Sequence, residues 1–372
     1  MLLMKGSYFY DMDPYAIYRE RREKTPVYWD EEHRLWAVYP YHHCQQVLSH
    51  PVTLIPPVAD GELGGQALAV KKRLVRISNP PEHDLARQMA LRMFRGRRHV
   101  DVGPLLARLL PPPGTPATVE WVSMVGAVLP AMHILAGYGF SDEDVELVLG
   151  QLSTVLRIMR PVENAEAARA LEAAVDRVYP VADRQVATCF PGLTRETQEY
   201  AVSNLIGLLI QSHDATKGLL SLALLHLLCR EKADLLASQD IGFFLSFVTE
   251  VLRYDSPVHN TRRVLTEDMT IGGVVVPAGS TVLVVVAAGN RDPQQFVRPE
   301  EFDRHRANNM TMLSFGHGMH GCIAGAYCTE LTAQAMCYLF HTYKTVSLVE
   351  PEPEYEPLVN VRMVKAMHLQ LI

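Results

Sequence analysis

Phe315-Gly316-His317-Gly318-Met319-His320-Gly321-Cys322-Ile323-Ala324-Gly325-Ala326 is the stretch on which the reading of this chain turns. Three glycines precede the cysteine and let the backbone bend tightly, bringing N–H groups to the sulfur where a side chain would stand in the way. An amphipathic helical pattern follows. A helix that starts just after Cys322 sets its positive dipole end against the sulfur and favours the thiolate. Such a bend around an ionised sulfur meets the requirements of a cysteinate ligand to a haem iron. Two other readings stay open at this point. One is a glycine-rich turn around a buried thiol. The other is a zinc site from His317, His320, Cys322 and Cys328, although the first three lie closer together than paired-knuckle spacing.

The rest of the chain bounds what such a loop can belong to. Of 372 residues, 48% are hydrophobic and 20% charged, enough to bury a large core without disulfides or structural metals. A net charge of -6 argues against nucleic-acid binding through general phosphate attraction. The apolar part of Met1–Gly6 is too short for a signal segment, and no later run of about 18 uncharged apolar residues offers a membrane span. The expectation is a cytoplasmic protein that binds neither membrane nor nucleic acid. Its six cysteines are scattered, without the dense spacing of a secreted disulfide framework.

Periodicity predicts helices over Tyr15–Lys24, Tyr41–Leu48, Glu82–Met93, Val119–Gly137, Asp142–Met159, Ala165–Val186, Thr194–Leu228 and Ile241–Tyr254. Short strands are expected at Pro26–Trp29, Leu35–Val38, Thr270–Ile271, Val274–Val276 and Thr281–Ala287, with Gly272-Gly273 turning one hairpin. Residues 51 to 81, rich in Pro and Gly, read as a long loop of the kind that carries binding. The prediction is a single domain over 1–372, mainly α with a minor antiparallel β part.

The cysteine stretch resembles the haem-binding signature of the cytochrome P450 family, Phe-Gly-x-Gly-x-His-x-Cys, at every fixed position. Other segments resemble the family in the same order. Glu250-Val251-Leu252-Arg253 forms a Glu-x-x-Arg that can pair across one helix turn, followed by Tyr254-Asp255-Ser256-Pro257 and Arg262-Arg263-Val264. Asn79-Pro80-Pro81-Glu82-His83-Asp84-Leu85-Ala86-Arg87 is similar to the family's entry to the helix over the haem edge, and Asn290-Arg291-Asp292-Pro293 to its loop before the cysteine. The resemblance runs from about Asp13 to the C-terminus. It implies the cytochrome P450 fold, haem b (iron protoporphyrin IX), and Cys322 as axial ligand beside Phe315. It further implies His83, Arg87, Arg263 and His320 on the haem propionates, and Glu250 with Arg253 as a structural pair.

Three positions depart from the family pattern, the mildest being Ala324, two after the cysteine, where Gly is common and a helix tolerates Ala well. The central helix usually carries Ala/Gly-Gly-x-Asp/Glu-Thr, in which acid and alcohol deliver protons. Here it reads Gln211-Ser212-His213-Asp214-Ala215-Thr216, so Asp214 keeps the acid while Ala215 stands in place of the alcohol. A substrate hydroxyl with ordered water, a local shift of Thr216 or Ser212, or the use of peroxide would each answer that loss. Glu301 occupies the place of an Arg that joins Glu250 and Arg253 in many relatives, and Arg304 or Arg306 can compensate.

Substrate contacts are expected from Gln211, Ser212, His213, Val258, His259, Asn260 and the turn Asn360-Val361-Arg362, a polar lining suited to a functionalised natural-product-like molecule of secondary metabolism. No Gly-x-Gly-x-x-Gly follows a strand, so two electrons come from outside, by resemblance from a ferredoxin and its ferredoxin reductase. Arg92, Arg95, Arg97 and Arg98 are the candidate docking cations. Three classes stand: an O2-dependent monooxygenase, a peroxide-driven peroxygenase or oxidative-coupling enzyme, and a non-catalytic haem-binding sensor.

Overall fold

The computed structural model describes residues 13–231, 233–350 and 352–372, so the reading of Met1–Gly6 lies outside the described residues. Its helices are α1 (Pro14–Lys24), α2 (Tyr41–Ser49), α3 (Gly65–Lys72), α4 (Glu82–Gly96), α5 (Val102–Leu109), α6 (Leu129–Tyr138) and α7 (Asp142–Val155). They continue with α8 (Ala165–Cys189), α9 (Arg195–Arg230), α10 (Ala233–Leu236), α11 (Ile241–Tyr254), α12 (Val286–Gly289) and α13 (Gly325–Thr342). The strands are β1 (Val27–Asp30), β2 (Leu35–Val38), β3 (Thr53–Leu54), β4 (Ala117–Glu120) and β5 (Thr261–Leu265). β6 (Met269–Ile271), β7 (Val274–Val276), β8 (Thr281–Val284), β9 (Val346–Leu348) and β10 (His368–Leu371) complete them. The chain forms two compact units: one from Met1–Leu54, Val102–Ala127 and Asp214–Ile372, the other from Ile55–Asp101 and Val128–His213.

In the first unit a five-stranded sheet runs β1-β2-β8-β5-β3, antiparallel except for the parallel β2–β8 pair. Apolar side chains of β2 and β8 bury against α2 and Phe296 on one side and against α1 on the other. The β6–β7 hairpin turns on Gly272 and Gly273, both at positive φ (55° and 82°), as a tight hairpin whose twist matches its strands requires. Asp240 caps α11 by accepting from Phe243 N, and the helix packs on α13 with the Phe244 and Phe340 rings stacked 6.3 Å apart.

The last turns of α11 carry this unit's strongest polar constraint. Glu250 and Arg253 are fully buried, with Arg253 Nη2 2.6 Å and Nε 3.0 Å from the carboxylate. Arg253 also donates to the carbonyls of Asn290, Pro299 and Glu301, and Asp303 N donates to Glu250. Arg306 takes up the compensating place, its Nε 3.5 Å from Glu250 Oε1, whereas Arg304 turns to Ser246 and the Phe243 ring.

The second unit is helical. Ser141 and Asn164 cap α7 and α8 by accepting from Asp144 N and Ala167 N, and α6 ends at Gly139 in the left-handed region. The segment before α4 is tied at both ends. Asn79 brackets Ile55, accepting from its N–H and donating to its carbonyl, while Asn204 accepts from Val75 N and donates to Arg73 O.

Several elements differ from the sequence expectation. Val119–Gly137 is not one helix: β4 pairs with β10 some 250 positions away in sequence, a π-turn follows over Val122–Gly126, and α6 begins at Leu129. The stretch 51 to 81 holds β3 and α3, and α5 and β9 were not anticipated. Among the described residues no helix is long and apolar enough to cross a membrane.

Removing one partner of the α11 ion pair strands the other in a dry environment. Arg253→Leu is expected to lower stability by about 3 to 5 kcal/mol in urea unfolding. A loss under about 1 kcal/mol would show that Arg306 alone suffices for Glu250.

Candidate active site

Cys322 lies in the first unit at the end of a glycine-built bend. Gly316 and Gly318 adopt φ of 69° and 70°, and a Cβ on Gly318 would come within 2.6 Å of Leu48 O, so neither conformation nor space admits a side chain there. Cys322 N donates to Phe315 O at 2.8 Å and Gly321 N to Gly318 O at 3.0 Å, closing the bend. The Phe315 ring lies against Gly325, where a Cβ would meet it at 3.0 Å, at the start of α13.

The bend is held from behind by residues whose part sequence reasoning did not identify. Asn290 accepts from Leu313 N at 2.6 Å and donates to Ser314 Oγ at 2.7 Å, while Ser314 donates to Leu252 O at 2.6 Å. Asn290 O in turn receives Arg253. A continuous polar path therefore leads from the Glu250–Arg253 pair to the residue before Phe315. The only sequence signal was the quoted Asn290-Arg291-Asp292-Pro293 segment, which says nothing of direction.

This geometry suits a thiolate ligand. Cys322 is exposed, and Ala324 N lies 3.3 Å from its sulfur as donor, an arrangement that stabilises negative charge on sulfur. Cys328 instead receives the Thr216 hydroxyl at 3.4 Å. Among the described residues no three His, Cys, Asp or Glu side chains gather to hold a metal ion, so the zinc alternative has no donor set.

The other expected site residues divide between the units. In the first, Arg263 is buried on β5, donating to Arg262 O and Thr261 Oγ1, and His320 is half-buried in the bend. In the second, His83 is buried in the first turn of α4 with Nδ1 3.3 Å from Ser78 Oγ, and Arg87 is half-buried one turn later. Along α9, Gln211 is exposed and donates back to Gly207 O, Ser212 donates to Leu209 O, and His213 is half-buried. Asp214 and Ala215 are half-buried; Thr216 is 1% exposed and turned toward α13.

His259 requires a correction. Expected on the substrate side, it is 3% exposed, with Nδ1 2.8 Å from the Tyr18 hydroxyl and its ring 5.6 Å from those of Tyr15 and Tyr18. Burial first, then the Arg362 charge, lowers its pKa to about 3, so it is a neutral part of the core. Asn260 commits its amide to Val359 O, while Val258 stays half-exposed and bridges Val361.

Comparison with known proteins agrees with this site. The Cytochrome P450 family model matches residues 230–340. The chain is 27% identical to the biotin biosynthesis cytochrome P450 of Bacillus subtilis (strain 168), over 95% of each chain. It is 28% identical to the 6-deoxyerythronolide B hydroxylase of Saccharopolyspora erythraea over 73% of this chain and 70% of the relative, and 25% identical to the cyclomarin C epoxidase CymV of Salinispora arenicola over 91% and 90%. In fold it resembles P450BioI in complex with an acyl carrier protein ligated to hexadec-9Z-enoic acid, at a TM-score of 0.81, 24% identity and coverage of 99% and 100%. Cytochrome P450 TbtJ1 superposes at 0.78, with 21% identity and full coverage of both. With a glycine-built thiolate bend, a buried Glu-x-x-Arg behind it and relatives matched along nearly its whole length, the chain is similar in sequence and fold to the cytochrome P450 family of haem b monooxygenases.

Proposed function

We propose that this protein inserts one oxygen atom of O2 into a small, functionalised natural-product-like molecule in the cytoplasm, the other leaving as water with two electrons and two protons, and that Cys322 would hold the haem iron through its thiolate. The haem, when bound, supplies O2 activation with two externally delivered electrons. The Ala324 N–H and the start of α13 hold negative charge on the Cys322 sulfur. By the family resemblance, His83, Arg87, Arg263 and His320 are the cations assigned to the propionates.

The observation that carries the finer reading is the set of hydroxyls on α9. Ala215 has none, Ser212 is bonded to its own helix, and Thr216 is bonded to Cys328. Proton delivery then rests on Asp214 and on a donor brought by the substrate, directly or through ordered water. Gln211, His213 and Val258 are proposed to contact that substrate. Peroxide-driven turnover is the second reading, favoured by the same missing alcohol.

Electrons are proposed to come from a ferredoxin and its reductase. At the end of α4, Arg92 and Arg97 lie over the Phe190 and Phe94 rings, 6.0 and 4.4 Å from the centroids, while Arg95 and Arg98 are exposed and positioned to meet an acidic partner.

Three outcomes test these assignments. Reduced, carbon-monoxide-bound protein is expected to give the thiolate-type Soret band, and Cys322→Ala to lose it; a variant that keeps the band removes Cys322 from the iron. Ala215→Thr should raise turnover of a substrate lacking a nearby hydroxyl by about tenfold or more, while hydrogen peroxide alone supports little product. Full turnover with peroxide, and no gain in Ala215→Thr, selects the second reading. Reversing charge at Arg95 and Arg98 is expected to slow reduction by an acidic ferredoxin, with an effect that fades as salt rises; an unchanged rate rejects that docking surface.

A further inference from the structure

One buried charge in the first unit has no part in the chemistry assigned above. Asp255 closes α11, is 5% exposed, and gathers three partners from separate segments. The Tyr15 hydroxyl of α1 donates to Oδ1 at 2.9 Å, His226 Nε2 of α9 lies 3.0 Å from Oδ2, and Arg362 Nε lies 2.9 Å from Oδ1. Arg362 is joined to Asp255 by charge more than by hydrogen-bond direction, since its Nε–H is not aligned on the oxygen. Its guanidinium lies 3.9 Å over the Tyr355 ring, which fixes the plane of the group. Burial alone would raise the Asp255 pKa, yet Arg362 and then His226 override it and hold the carboxyl well below the usual range, so the hub is an anion.

Arg362 belongs to one leg of a hairpin. Glu356 N donates to Met363 O, Lys365 N to Glu354 O, and Tyr355 bridges Val364. The end of that hairpin, residues 359 to 362, lies along the segment after α11. Arg362 N donates to Pro257 O, His259 N donates to Asn360 O, and Val258 bridges Val361. Gly218 of α9, one turn beyond Asp214, is in contact with the same segment: a Cβ there would lie 3.1 Å from Pro257 Cβ and 3.4 Å from Arg362 O. Val258 and Val361 stay half-exposed and Asn360 is exposed, whereas Met363 and Val364 are buried. The hairpin end therefore presents an apolar pair and the exposed Asn360 close to the α9 turn that follows the one carrying the acid.

We propose that Arg362 is a positioning residue that, anchored on Asp255, fixes Asn360 and Val361 near the Gly218 turn of α9, next after that of Asp214, and so selects ligands by shape. Backbone bonds dock this hairpin end loosely; the single charged anchor sets its distance from α9. Without it, two backbone bonds and the Asn260 amide still hold the segment, and Asp255 keeps Tyr15 and His226 as partners. The expected consequence is a displaced wall in a folded protein.

The inference rests on the haem-monooxygenase reading for one of its two readouts, and the experiment separates them. Purified holoprotein is titrated with imidazole and with a phenyl-substituted imidazole, following the Soret band, and hydrogen exchange is measured for residues 358 to 361. In Arg362→Gln the Kd of the bulky probe is expected to rise about tenfold while that of imidazole stays within about twofold, and exchange at 358 to 361 to quicken. Arg362→Lys, which keeps the charge but not the planar stacking on Tyr355, should fall between wild type and Arg362→Gln in both readouts. It also supplies the test if Arg362→Gln fails to accumulate. Equal changes for the two probes, or unchanged exchange in either variant, overturn the proposal. A wild-type protein whose Soret band answers neither probe refutes the haem reading instead, and the exchange measurement still decides the role of Arg362.

Discussion

The buried pairing of Glu250 with Arg253 is the constraint on which the cysteine bend depends. An ion pair sealed from water gains little net stability, because desolvating both groups costs about what their attraction returns. Its value here is geometric. Once Arg253 is in place, its remaining donors must be satisfied, and they are satisfied only by carbonyls of Asn290, Pro299 and Glu301, three points on an otherwise irregular segment. That requirement gives the segment one conformation. Asn290 passes it on to Leu313 and Ser314, and the bend that presents Cys322 begins at the next residue.

A second buried ion lies only two residues beyond Arg253. Asp255 gathers α1, α9 and the C-terminal hairpin as Glu250 gathers the segment before the cysteine. The end of α11 thus fixes two things at once, the sulfur through one carboxylate and the surroundings of the α9 acid through the other. Neutral hydrogen bonds would constrain these loops less sharply, since an unpaired buried charge is penalised far more heavily than an unpaired amide.

Much of this was legible in the sequence wherever the physics is local. Glycines at Gly316 and Gly318 announce a bend because positive φ is strained for most other residues, Gly272-Gly273 announces a tight hairpin for the same reason, and the Glu250–Arg253 spacing makes a pair on any helix. What was not legible is set by partners distant in sequence. The apolar run from Val119 reads as helix, and only pairing with β10 makes its first residues a strand. His259 reads as a polar group available to a ligand until Tyr15 and Tyr18 close around it. The spacing allowed either Arg304 or Arg306 to reach Glu250, and the bends of residues 303 to 306 decide for Arg306.

The α9 sequence is best understood through helix geometry. Successive residues point about 100° apart, so Thr216 cannot take the direction of position 215 without turning the helix by that amount. Such a turn would pull Thr216 away from Cys328 and expose a side chain that is now 1% exposed, while burying the polar neighbours that lie outward. Ser212 lies one turn before Thr216 and roughly on its face, and its hydroxyl already bonds to Leu209 O. A local shift that restores an alcohol therefore costs packing where Thr216 and its neighbours at 218 to 225 are buried, whereas a donor carried by the ligand costs the protein nothing. The loss of the hydroxyl at Ala215 is for this reason better matched to a substrate with a polar group near its reacting carbon than to a rearranged helix.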